Sequence, residues 1–204
     1  MYTPAAFRVE DPDWILGHVE RHDFGMLVSA DPLMVSHLPF HLVRPKGDQP
    51  AQLLCHVARA NPHWRCFEGQ GAPALAVFRG PHAYVSPTWY GQHPSVPTWN
   101  YDVVQAEGIA TLIENPAEIA IQMRAMAAAY EPTPGFDMDA QPQKYMEGMF
   151  KALVGIRLTV RHWTGKRKQS QNRPEADRIM VARALEARGD HDAAAALREA
   201  NDIG

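Results

Sequence analysis

Two periods divide this chain. Up to about residue 161 the apolar positions come in short runs, several of them alternating with polar residues, and this predicts strands over 24–29, 33–43, 51–57, 74–78, 82–85, 109–113 and 152–161. Asp31-Pro32, Lys46-Gly47-Asp48, Gly69-Gln70-Gly71 and Arg79-Gly80-Pro81 punctuate them as turns. In the last run Val154, Ile156, Leu158 and Val160 alternate with Gly155, Arg157, Thr159 and Arg161, so one face belongs to a core and a basic face points outward. Short strands so spaced suggest a small antiparallel barrel. The helical period takes over in three places. Asn115 caps and Pro116 opens a helix to Tyr130, with Ile119, Met123, Met126 and Tyr130 on one stripe. A second helix spans 174–188 and stops at Gly189; Asp190 caps a third that ends near Asn201. The expected organisation is a β-rich domain over 1–173 and a helical hairpin over 174–204 packed on it.

Between these regular segments, residues 81–101 hold Tyr84, Trp89, Tyr90, Trp99 and Tyr101 among several prolines. Pro87, Pro94 and Pro97 fix the backbone and lack a donor, which keeps this segment out of helix and central strand. An ordered irregular loop of this kind is either a ligand site or a hydrophobic cluster closing the end of a barrel.

The stretches HVARANPHW (56–64), GPHAYVSPTWY (80–90), VPTWNY (96–101) and KQSQNR (168–173), with MYTPAAF at the start and SHLPF at 36–40, resemble in that order the PaiB family of FMN-binding negative transcriptional regulators. That resemblance implies an α+β, mainly β fold: an FMN-binding split β-barrel related to pyridoxamine phosphate oxidases, with peripheral helices and a C-terminal αα-hairpin. It also implies FMN as cofactor and a homodimer. The chain departs from the expected pattern twice. Gln105 and Glu107 stand where VHAHG is expected after WNY, and Gln169 stands where a leucine is expected before SQNR.

The residues expected at the flavin have a chemical rationale. FMN offers a dianionic phosphate and a ring edged with carbonyl acceptors. Arg59, the only fixed charge in its segment before Trp64, presents a planar donor fork suited to a phosphate, with a surface ion pair as its alternative role. Lys168 and Gln171 lie in a segment, 157–173, with six Lys or Arg and no acid. That segment suits a phosphate ester, nucleic acid or a solvated turn. Tyr84, Ser86 and Trp89 are candidates to line the ring, Thr98 and Asn100 to bond it, and His37 to border the pocket. His56 is either a packed neutral imidazole or a cofactor contact, and Asn61 is expected to bond backbone at a turn.

Charge narrows the function classes. The formal net charge of -3 gives no overall attraction to nucleic acid or anionic lipid. Helix, turn, helix at the C-terminus invites a DNA-binding reading. Residues 174–204, however, carry four arginines against seven acids, and the last helix has Arg198 as its one fixed cation. DNA contact is possible through 157–173 and unsupported through the hairpin. His37, His41, His56 and His63 lack a carboxylate or cysteine at ligand spacing, so no metal is expected. Cys55 and Cys66 have no CxxC spacing and read as reduced and structural. No apolar run reaches the roughly 20 residues of a membrane span and the N-terminus lacks the shape of a signal peptide, which predicts a cytoplasmic protein without membrane partners. Two function classes follow: a flavin-binding regulator with the flavin as ligand or redox sensor, or a flavin-dependent oxidoreductase of a small molecule.

Overall fold

The computed structural model describes residues 1–131 and 135–203. Its elements are β1 (Arg8–Val9), α1 (Pro12–Arg21), β2 (Phe24–Ala30), β3 (Leu33–Pro39), β4 (His41–Val43), β5 (Gln52–Ala58), β6 (Ala72–Val85), β7 (Thr98–Ile113), α2 (Pro116–Tyr130), α3 (Gln143–Lys151), β8 (Leu153–Lys168), α4 (Glu175–Ala187) and α5 (His191–Asn201). The chain forms two compact units, and β6, β7 and β8 run through both.

One unit comprises 19–77 and 106–163. Its strands follow the order β3-β2-β6-β7-β8-β5-β4, with every registered pair antiparallel. Period-two patterning explains the packing: Leu53, Cys55 and Val57 of β5 and Ile156 and Leu158 of β8 are buried. On the opposite face of β8, Gly155 and Arg157 meet α2, whose Gln122 lies beside Gly155 and whose Glu118 pairs with Arg157 at 2.6 Å. Asn115 caps α2 as expected, its side chain accepting from Ala117 N at 2.9 Å. Of the expected α2 stripe, Ile119 and Met126 are buried.

The other unit comprises 1–18, 78–105 and 164–204. Here β1 pairs with the end of β8, Arg8 opposite Lys166. Helices α4 and α5 form the expected hairpin, closed by Gly189 at φ +84°. The Gly189 N–H donates to Glu186 O and the Asp190 N–H to Leu185 O, a double bond pattern that satisfies the last carbonyls of α4. Val181, Ala182 and Leu185 of α4 and Ala193, Ala194 and Leu197 of α5 form one buried cluster with Ala83, Val85 and Tyr90.

Several expectations are corrected. The turn at 79–81 is absent, and β6 runs unbroken through Pro81. Its registered pairing with β2 ends at Val77, so the missing proline N–H removes no bond of that ladder. The irregular aromatic segment ends earlier than expected, because Trp99 and Tyr101 already belong to β7. Of the alternatives for GKRK the solvated turn falls away, since the sequence is strand and β1 pairs with it. The run 33–43 is broken at Phe40 into β3 and β4. Helices α1 and α3 were not foreseen. Asp190 precedes α5 without a side-chain cap bond; its carboxylate pairs with Arg188 at 2.9 Å.

Glycine is required at position 108, where β7 passes β8 so closely that a Cβ would lie 2.1 Å from Thr159 O. Gly108→Ala is expected to cost about 1–3 kcal/mol or more through this overpacking, read as a lower urea midpoint. An unchanged midpoint contradicts the close approach.

Candidate functional site

The residues with unspent donor capacity and exposed ring surface gather where β7 begins and β8 ends. Alternation along β7 puts Asn100 and Asp102 in the interior and Trp99 on the other face, 52% exposed. Trp99 stands edge-on to Tyr84 at 6.2 Å between ring centres and 5.8 Å from His82. The Lys168 ammonium donates to Thr98 Oγ1 and to the main-chain carbonyl of Trp99. Burial, and then the nearby Lys166 ammonium, hold Lys168 below the usual lysine range. Lys166 is only 7% exposed; its ammonium donates to Tyr2 O at 3.2 Å and lies 5.0 Å from the centre of the Tyr101 ring. Among the described residues both ammoniums are thus bonded to hydroxyl or carbonyl oxygens, not to carboxylates.

The backbone that follows is tightly fixed. Ser170 has φ +64°, a left-handed conformation uncommon for a residue with a side chain, and Asn100 Nδ2 donates to its hydroxyl at 2.9 Å. Gln169 is fully buried, and its Nε2 donates to Asp102 Oδ1 at 2.9 Å. Gln171 is folded back: its Oε1 accepts from Gln169 N at 2.7 Å and its Nε2 donates to Arg167 O at 2.6 Å. Its amide therefore shapes the turn.

Other expected residues are placed as follows. Ser86 caps a short 3₁₀ turn, accepting from Thr88 N at 3.2 Å. Trp89 packs against the helical cluster with the Arg188 guanidinium 5.4 Å from its ring centre. In the other unit, Arg59 Nε donates to Lys151 O at 2.8 Å and Nη2 to Leu153 O at 3.0 Å, which ties the end of α3 to the start of β8. It also borders a cleft of about 410 Å³ with Trp64, Glu68, Glu114 and Ile119. His37 is exposed on β3. His56, opposite Gly155, has an unpartnered buried Nδ1. Asn61 bonds backbone as expected, accepting from His63 N at 3.0 Å. Reading the sequence missed one pair: buried His63 shares a 2.8 Å hydrogen bond between its Nδ1 and Ser36 Oγ. Among the described residues no His, Cys, Asp or Glu group is arranged to hold a metal. Cys55 and Cys66 are free thiols, and burial pushes Cys55 far up.

Residues 1–162 match the family described as "Putative FMN-binding domain". The chain belongs to this FMN-binding family. It is 34% identical over 190 residues to "Protease synthase and sporulation protein PAI 2" of Bacillus subtilis (strain 168), covering 91% of this chain and 89% of the relative, so the PaiB resemblance is borne out. Among solved structures it is similar to an FAD and heme binding protein from Mycobacterium smegmatis, with TM-score 0.60, 15% identity, and 80% and 74% of the two chains covered. It is also similar to the flavocytochrome Anf3 from Azotobacter vinelandii, with TM-score 0.59, 14% identity, and 85% and 75% covered. The fold is the split barrel that the resemblance implied, and the cofactor of the family is FMN.

The residues present fit that cofactor. Two ammoniums at the end of β8 offer charge to a phosphate dianion, and the exposed rings of Trp99 and Tyr84, the former on a residue whose carbonyl Lys168 bonds, offer apolar surface to a ring.

Burial holds both His56 and His63 below the ordinary imidazole value. Each then binds protons more readily unfolded than folded, so its contribution to stability is complete above about pH 6.5 and is lost as pH falls below that. The shifted carboxylates, Glu20, Asp139 and Glu186, are lowered and titrate further down. The urea midpoint is therefore expected to fall between pH 7 and pH 5; a flat or rising midpoint contradicts the neutral buried imidazoles.

Proposed function

We propose that this chain is an FMN-responsive regulator of the PaiB type, in which Lys168, with Lys166 and Thr98, receives the flavin phosphate while Trp99 and Tyr84 face the ring. FMN supplies a ring that exchanges electrons and a phosphate that anchors it. One observation carries the assignment: the part-buried Lys168 ammonium lies near a second ammonium and bonds the main-chain carbonyl of Trp99, a residue whose indole is exposed, and among the described residues its hydrogen bonds go to neutral oxygens. In this reading Arg59 is structural, because its fork is occupied by the carbonyls of Lys151 and Leu153. Asn100 and Gln171 support the site by fixing the 168–171 backbone, and Ser86 and Trp89 shape the approach to it.

The protein acts as a cytoplasmic homodimer in this proposal, since Trp99, Tyr84 and Val96 expose apolar surface of the kind that interfaces cover. No helix among the described residues is long and apolar enough to cross a membrane. The C-terminal hairpin is not its DNA reader: the one fixed cation of α5, Arg198, is paired with Glu186 at 2.9 Å.

Titrating apo-protein with FMN and with riboflavin tests the assignment. Lys168→Ala is expected to weaken FMN by about tenfold to a hundredfold, the value of one charge-assisted bond, with little change for riboflavin. Arg59→Ala is expected to lower thermal stability and to affect both ligands equally. Equal losses for both ligands on Lys168→Ala overturn the phosphate assignment, and rapid oxidation of a reduced nicotinamide by the loaded protein moves the function to an oxidoreductase. Light scattering is expected to give twice the 22.8 kDa chain mass at micromolar concentration, and the monomer mass refutes the dimer.

A further inference from the structure

Lys168 is the last residue of β8, and strand geometry sends its side chain to the face opposite those of Arg167 and Gln169. Both of those neighbours are held by the end of α5. The Arg167 guanidinium reaches Glu199 at 3.1 Å and Ala196 O at 3.4 Å, and it also faces Asp102 at 3.6 Å. Gln169 O accepts from Asn201 Nδ2 at 2.8 Å. Asn201 is itself fixed at every polar atom: Nδ2 also donates to Leu197 O at 2.8 Å, and Oδ1 accepts from Arg178 Nη1 of α4 at 2.8 Å. Helix α4 additionally holds the aromatic segment, because buried Asp177 Oδ1 accepts from Gly91 N at 2.8 Å. The hairpin thus touches the cation strand on both sides of Lys168 and the aromatic segment at a third point.

We propose that the C-terminal hairpin sets the aim of the Lys168 ammonium, with Asn201 as the positioning residue; this rests on the reading that Lys168 receives the FMN phosphate. Without the hairpin contacts the backbone at Gln169 and Ser170 has a left-handed residue to accommodate and one fewer partner to hold it there. The Lys168 ammonium then samples positions away from Thr98, and the phosphate meets a mobile charge in place of a fixed one. The span that matches the FMN-binding family ends at residue 162, before both Lys168 and the hairpin that holds its neighbours. Asn201 touches no ligand in this account. Its effect is relayed by one backbone carbonyl.

The test uses the full-length chain. Asn201→Asp removes the donor to Gln169 O and keeps an acceptor for Arg178. It is expected to raise the FMN dissociation constant by about five- to tenfold, the loss of one hydrogen bond's worth of fixation, while riboflavin affinity stays within about twofold. Hydrogen exchange at Gln169 and Ser170 in the apo-protein is expected to quicken in the same variant. Arg198→Ala, which breaks a pair inside the hairpin away from the turn, is expected to leave the FMN-to-riboflavin ratio unchanged. Should Asn201→Asp fail to fold, Glu199→Gln, which loosens Arg167 on the other side of Lys168, is expected to lower the same ratio. Lys168→Ala separates the two levels of the argument. If it abolishes the preference for FMN over riboflavin while Asn201→Asp or Glu199→Gln leaves it intact, the hairpin does not position Lys168. If Lys168→Ala leaves the preference intact, the underlying phosphate assignment fails as well.

Discussion

Strand alternation along β8 is the constraint from which the candidate site follows. Its first half buries Val154, Ile156, Leu158 and Val160 and offers Gly155 and Arg157 to α2. Its last residues keep the same period, but there the neighbours are different: the Arg167 side chain reaches the end of α5, which also holds the carbonyl of Gln169 just beyond the strand, and Lys168 bonds Thr98 and the carbonyl of Trp99. A slip of one residue would turn Lys168 toward the hairpin and leave Arg167 to face the aromatic rings. The register is held there by β1 opposite Gly165 and Lys166, and beyond the strand by the left-handed Ser170 with its bonds to Asn100.

Four cations of β8 fall into two groups by their partners. Arg157 is paired with Glu118, and Arg167 with Asp102 and Glu199; these guanidiniums join elements together. Among the described residues, Lys166 and Lys168 have neutral oxygens and an aromatic ring against them, so their charge remains available for an anion. Arginine's fork suits the first task, since it bonds several acceptors at once, while an ammonium is a compact charge. Arg59 follows the same rule, with two of its donors on main-chain carbonyls.

Much of the fold was legible because its signals are local. The β8 alternation, the Asn115 cap and Pro116 start of α2, and Gly189 between the two last helices each appear in the structure. What escaped depends on distant partners. Pro81 looked like a turn because proline lacks a donor, yet β6 continues past it. GKRK left a solvated turn open as one of three readings, and β1 pairs with it as strand. Gln169, in place of an expected leucine, is fully buried: Asp102 Oδ1 accepts from its Nε2, while its Oε1 has no hydrogen-bond partner among the described residues. The exposure of Trp99 was readable in principle, since it follows from placing Asn100 and Asp102 on the buried face of a strand. The proline-rich context hid that strand.

The most direct measurement of the central claim is a crystal structure of the protein with FMN. The account predicts the phosphate within hydrogen-bond distance of Lys168 Nζ, with the ring system beside Trp99 and Arg59 still bonded to the carbonyls of Lys151 and Leu153. A phosphate held by Arg59, or a flavin remote from the junction of β7 and β8, would contradict it.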